Sequence, residues 1–326
     1  RPGVTNTGSA PIAHQVKPKV NNRAVAVWYD GKLSFPTHGA FHPGTTYGFD
    51  YAYETNYRDL KKRFQDEKEG NWVLLPLIPY NALEQDFEEG KYGPQPPSWE
   101  RRHILGTDNT GRDIFARLFY GYRLAMTFAS LFLIAVYIIG IIVGCSMGYF
   151  GGRFDLIVQR IIEIWANIPF LYIIIIVASI VRPNLLILLG IYVFFQWTSM
   201  TYYMRTESYR ERARDYISAA RVIGAGDGRI IVLHLLPNTI STLVTFMPFT
   251  IAGAITSLTA LDFLGFGLPP PTPSWGELLK RGVENLNAPW IVSSAFGGLV
   301  LVLNLVTFVG EAIREAFDPK KFTQYR

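Results

Sequence analysis

Cysteine is nearly absent from this 326-residue chain, with one residue in all. That lone thiol, Cys145, excludes an intrachain disulfide and any multi-cysteine zinc site. Inside its apolar run it reads as a small buried side chain. Histidine is scarce as well: five residues, scattered, with no metal-ligand spacing. No G-x-x-x-x-G-K-[ST] phosphate loop occurs, so no ATP is expected to be held through that motif. No nucleophile–base pair can be nominated, so no catalytic residue is assigned and the chain does not read as an enzyme. Charged residues make up 17% of the chain, and the net charge of +5 gives no sign of a nucleic-acid surface. No apolar signal-peptide core precedes residue 20, and the first residue is Arg1. The numbering is therefore expected to start inside a longer or processed chain.

What is present is unevenly spread. The mean hydropathy is only +0.16, yet charged residues crowd the part before Arg123 and long charge-free runs follow it. Residues 1–24 are polar and rich in Pro, Asn and Thr, and are expected to be disordered. Residues 25–110 carry short apolar pieces at 25–29 and 72–78 among Gly, Pro and aromatic residues, and a charged helical pattern at 56–68. This stretch is too polar for lipid and reads as a compact extramembrane unit of mixed α/β type. A bilayer core about 30 Å thick needs roughly 20 apolar helical residues. Five runs within 111–318 meet that length: about 124–150, 161–181, 183–204, 235–261 and 287–312. The fourth is interrupted by Pro237 and Pro248. The fold class is thus an all-α polytopic membrane domain, with residues 319–326 as a tail.

Positive charge orients it. Arg205, Arg210, Arg212, Arg214, Arg221 and Arg229 crowd one loop, Arg153 and Arg160 one turn, and Arg314, Lys320, Lys321 and Arg326 the C-terminus. By the positive-inside rule these lie in the cytoplasm, which puts 25–110 and the 262–289 linker outside.

The loop at 209–237 carries the most information. An amphipathic helix around 213–223 meets glycines 224, 226 and 228, and a second short helix is predicted from near Arg229. Such an elbow is either a solvated connection or a knob that fits a partner's groove.

These residues resemble the cytoplasmic coupling loop of ABC-importer permeases. Ala219, Ala220, Gly224 and Pro237 fall on its Ala-Ala, Gly and Pro positions, whereas its leading glutamate is Ser218 here. Residues 103–123, 261–277 and 310–319 are similar to further blocks of the dipeptide/oligopeptide permease family. The segment Trp28-Tyr-Asp-Gly-Lys-Leu-Ser-Phe-Pro36 is similar to its microcin C-type branch. The resemblance implies a type I importer permease that carries di- or oligopeptides across the bacterial inner membrane. It implies a heterodimer with a second permease, two ATP-binding subunits that use ATP and Mg, and a periplasmic solute-binding protein. This chain would bind no cofactor itself. Asp215, Tyr216, Ser218, Ala219, Ala220, Gly224, His234 and Pro237 would form the ATPase-coupling loop, with Ala219 and Ala220 in a tight helix–groove contact. Family members normally have six spans, so a first helix is expected ahead of this numbering.

Other features have weaker readings. Gly140, Gly144 and Gly148 make a small-residue stripe suited to helix packing. Phe115, Leu118, Phe119 and Tyr122 recur at helical spacing before the first span and fit an amphipathic helix lying at the outer interface, with Arg112, Arg117 and Arg123 on its polar side. Asp262, Pro270 and Trp275 are placed in an outer-mouth loop that Pro269, Pro271 and Pro273 also stiffen. Glu163, His234 and Asp262 flank spans, as interfacial or functional groups. The rivals are an ion- or proton-coupled secondary transporter, which needs ionisable groups at mid-membrane, a membrane enzyme, and a receptor built on the external unit.

Overall fold

The computed structural model describes residues 23–37, 41–87 and 92–317. Residues 1–22, expected to be disordered, and the 319–326 tail lie outside the described residues. Arg23 and Ala24, at the edge of that first stretch, are ordered parts of the small N-terminal unit: Ala24 is buried and Arg23 pairs with Glu54 at 3.2 Å.

Strands β1 (Ala26–Tyr29), β2 (Lys32–Ser34) and β3 (Trp72–Leu74) form an antiparallel sheet in the order β2-β1-β3. Asp30 and Gly31 both hold positive φ, 48° and 75°, the turn that the right-handed twist of a two-residue hairpin favours. Helix α1 (Tyr57–Glu67) starts at Asn56, whose side chain accepts from the Arg58 N–H at 3.1 Å. Its Tyr57, Leu60 and Phe64 share one face and close a small core with Val27, Tyr47 and Val73. The described residues of 75–113 then run without long elements toward the helical bundle.

The bundle is built from α2 (Ile114–Phe150), α3 (Gly152–Ala166), α4 (Phe170–Ile180), α5 (Leu185–Arg212), α6 (Asp215–Val222), α7 (Asp227–Arg229), α8 (Leu236–Leu264), α9 (Trp275–Glu284) and α10 (Pro289–Ala316). Four helices are long and apolar enough to span a membrane, and the bent pair α3–α4 makes a fifth if counted as one span.

Three expectations are corrected. The interfacial helix over 115–122 is not separate, because α2 runs unbroken for 37 residues from an Asp113 cap that accepts from the Ala116 N–H at 2.7 Å. The second run is not one straight span: α3 and α4 meet at 65°. Pro169 lacks an N–H and disfavours helix at Ile168, so the chain breaks there and α4 starts afresh. The loop's second short helix is not free-standing, and neither proline breaks the fourth span. One helix runs from Asp227 to Leu264, through a π turn at Ile230–Leu235. Pro237 cannot donate to Leu233, and just before it the Leu236 N–H bonds five residues back to Ile231. Pro248 faces Gly310 of α10, where any larger residue would strike the ring.

α2 and α5 form the most extensive pair. A Cβ built at Gly140 would lie 2.7 Å from the Met200 side chain, and one at Gly144 would lie 2.6 Å from the Thr201 carbonyl. At Gly148 it would overlap Ser208. Only glycine permits this approach.

Candidate functional site

The arginine-rich end of the bundle, expected from its charge to be the inner end, turns on one residue of extended backbone, Arg214, after which the chain restarts as α6. Ile217 and Ala220, three apart, share a face and are 0% and 4% exposed, packed with Ile230 and Leu235. Gly224 ends the turn with φ of 83°. The Ala225 N–H then reaches the Ala220 carbonyl at 3.0 Å, the left-handed closure that favours glycine. Past this cap Asp227 opens the next helix, and the Tyr149 hydroxyl of α2 donates to it at 2.6 Å. The Arg221 guanidinium lies 4.9 Å over the Tyr149 ring. The elbow is thus fastened to the bundle from both sides of the glycine.

Its outward side carries bare apolar residues among charged ones. Val222 and Ile223 are 87% and 84% exposed and Val232 and Leu233 are exposed too, as are Arg221, Asp227 and Arg229. Asp215, Tyr216, Ser218 and Ala219 lie on the open part of α6, the Tyr216 hydroxyl donating to Glu211 at 2.7 Å. Ala220 points the other way, into the bundle. Of the two alanines expected in a helix–groove contact, Ala219 is exposed and Ala220 is buried. Sequence reading passed over Val222 and Ile223, although two branched apolar residues directly before a glycine cap were the available signal. His234 is half-buried in the π turn, where its carbonyl accepts from the Asn238 amide at 2.6 Å, and Pro237 is exposed.

The outer end is organised differently. Asp108 is fully buried; its carboxylate accepts from the backbone N–H groups of Thr110 and Arg112 at 2.8 and 3.0 Å and from Arg112 Nε at 2.9 Å. Arg117, also fully buried, donates to Glu277 at 2.5 Å and to the Ala82 carbonyl at 3.1 Å. Glu277 further pairs with Arg112 at 3.3 Å and with Arg281. Arg112 and Arg117 are therefore not on a solvated polar face; carboxylates from both sides neutralise them, while Arg123 is exposed. Burial pushes the Asp108 carboxyl up, but the guanidinium of Arg112 and its hydrogen bonds outweigh this and hold it low.

A second cluster sits alongside. The His103 ring lies between Asp113, 2.8 Å from Nδ1, and Asp86, 3.2 Å from Nε2, and stacks on Tyr80 at 4.2 Å. Burial pulls the imidazole down, yet its bonds to Asp113 and Asp86 win and hold it above its ordinary value. Asp86 is held well below the usual carboxylate range, first by its hydrogen bond with His103. Trp290 of α10 adds a bond to the Thr107 carbonyl at 3.3 Å.

Two of the residues expected at the mouth are structural. Asp262 is buried in the last turn of α8 and accepts from the Leu268 N–H at 2.7 Å. Trp275 is buried and donates to the Leu118 carbonyl at 2.9 Å. Pro270 is exposed. Among the described residues no group of His, Cys, Asp and Glu could hold a metal ion.

The sequence matches the family described as "Binding-protein-dependent transport system inner membrane component" over residues 137–323. It is 42% identical to the inner membrane ABC transporter permease protein YejE of Escherichia coli K12, over 92% of this chain and 87% of that protein. It is 38% identical to the peptidoglycan transport system permease protein YejE of Agrobacterium fabrum, over 92% of this chain and 84% of that one. The dipeptide transport system permease protein DppC of Haemophilus influenzae is 34% identical over 76% and 85%. Among solved structures, a chain of the inward-facing MetNI methionine ABC transporter aligns over 61% of this chain and 95% of its own, at 17% identity and a TM-score of 0.47.

Proposed function

The chain belongs to the family of binding-protein-dependent transport system inner membrane components, and from that premise we propose that it is the permease subunit of an ATP-driven importer of peptides. The cargo is di- or oligopeptides, microcin C-like peptides included. The elbow at 213–237 faces the cytoplasm and docks on ATP-binding subunits. The small α/β unit and α9 face the periplasm and meet a solute-binding protein, and a second permease completes the pore. ATP and Mg act on the ATP-binding subunits.

The observation that carries this reading is the glycine-capped elbow. Its inner face is locked to α2 and α8 while Val222 and Ile223 are left bare. A bare apolar pair on a rigid mount suits a partner's groove. Movement of that groove would carry the elbow and the spans together and bias the bundle between two states.

The deciding experiment purifies the chain from native membranes in mild detergent, identifies what comes with it, and measures peptide uptake and ATP hydrolysis in vesicles. Gly224→Val puts a branched side chain at positive φ. That variant is expected to insert normally yet hydrolyse ATP without peptide uptake. Normal uptake by it, or purification of the native chain without an ATPase, would defeat the proposal.

A further inference from the structure

Ile134, Ile138 and Ile142 on α2 and Leu301 and Leu305 on α10 present aliphatic surface, interrupted on α10 by Asn304 and Thr307. At the seam between α5 and α8 polar residues instead run in stripes. Along α5, Gln196, Ser199, Tyr203 and Thr206 recur at steps of three and four and share one face. Along α8, Ser241, Thr245, Phe249, Gly253 and Ser257 repeat every four residues. The two stripes border a cleft of about 270 Å³ around Gln196 and Gly253, and a second of about 410 Å³ around Thr206 and Ser241. Tyr203 and Phe246, stacked at 3.8 Å, line both clefts, so the two form one groove along the bundle.

Ser199, Tyr203, Thr206, Ser241 and Gly253 are exposed. Polar groups turned toward hydrocarbon are costly, whereas groups lining a water-filled path are not. From the membrane-depth parts of both helices, 185–204 and 238–261, charge is absent. The Thr206, Thr245 and Thr250 hydroxyls donate to carbonyls one turn back at 2.8–3.0 Å, which leaves their oxygens as acceptors. The Gln196 carboxamide has no partner among the described residues. A Cβ built at Gly253 meets nothing within 4 Å, so the groove is open there.

We infer that the α5–α8 seam is this chain's wall of the cargo path and that it recognises neutral features of a peptide. Oxygen acceptors and the Gln196 amide take up backbone N–H and C=O groups. Tyr203, Phe246 and Phe249 receive apolar side chains. Glu207, the one charged residue lining the groove, is paired with Arg210, so the wall presents no unpaired charge and passes acidic and basic peptides alike. The inference rests on the peptide-importer reading, and its test separates the two.

Ser199→Cys and Gly253→Cys are placed in the full complex in membranes and treated with a charged, membrane-impermeant methanethiosulfonate. Ile138→Cys and Ile142→Cys, on the exposed aliphatic face of α2, serve as controls, and the parent chain, whose one thiol Cys145 is buried, sets the background. Labelling at 199 and 253 alone is expected. Unlabelled positions there, or equal labelling at all four, would overturn the inference whether or not peptides are carried.

Uptake is then compared for tripeptides of opposite charge. The native complex is expected to carry both, and Gln196→Lys to depress the cationic one by about tenfold relative to the anionic. An unchanged ratio, or normal uptake by Gly253→Trp, would also overturn it. Absence of all peptide uptake by the native complex would instead defeat the importer reading, and the labelling result would still decide whether the seam is wet.

Discussion

The two ends of the bundle meet their surroundings in opposite ways. At the outer end Asp108, Arg112, Arg117 and Glu277 are withdrawn from solvent and spend their charge on one another. At the inner end Val222 and Ile223 are left in the open with nothing against them. One end pairs its charges internally, with only the Arg117 Nε left without a hydrogen bond among the described residues of that cluster, and joins a polar unit to the helices. The other is left for the proposed partner to cover. Buried charge at one end therefore reads as architecture, and bare apolar surface at the other reads as an address.

The sharpest way to break this contrast is Arg117→Ala. It leaves Glu277 short of a partner in a buried site and is expected to cost about 3–5 kcal/mol. A thermal unfolding scan in detergent should show a large drop, and an unchanged midpoint would mean the cluster is not architectural. Next in size is Gly148→Leu, which forces α2 away from Ser208 and should cost about 1–3 kcal/mol in the same scan.

A smaller effect comes from pH. The folded-state pKa of His103 is raised, so its contribution is fully present below about 6.5 and is lost as pH rises through the folded value. That of Asp86 is lowered, so its contribution is present above about 3.8 and is lost as pH falls. The junction between the small unit and the bundle should therefore resist proteolysis best between those limits. His103→Gln should flatten the alkaline side, and an identical profile in the variant would remove His103 from the junction. The smallest change in stability is expected from Val222→Asp with Ile223→Asp, within about 0.5 kcal/mol because both are exposed. The same pair should abolish co-purification of an ATPase. Retained ATPase would make the elbow a plain connection.

The spans were legible because the bilayer demands a minimum apolar length, and runs of that length stand out whatever they pack against. The glycine elbow was legible for a similar reason: an Ala-Ala helix stopped by Gly224 is a local pattern. What could not be read was pairing at a distance. Arg112 and Arg117 beside an apolar run look like headgroup ligands until Glu277, far along the chain, is folded onto them. The inward aim of Ala220 was hidden likewise, since only packing against Ile230 distinguishes it from Ala219. The bend at Pro169 was a miss of another kind. The proline was in plain view, but the aliphatic residues around it carried the reading.

The unbroken course of α2 has one more consequence. Its first turn is held by the outer ion pairs, and near its last turn Tyr149 grips Asp227. A helix of 37 residues is about 55 Å long, so tilting its outer end by about 5° shifts the inner end by about 5 Å. On the proposed orientation, docking of a solute-binding protein would then need no relay of rearranged side chains to be felt at the far end. The news arrives as a change in where Asp227 stands.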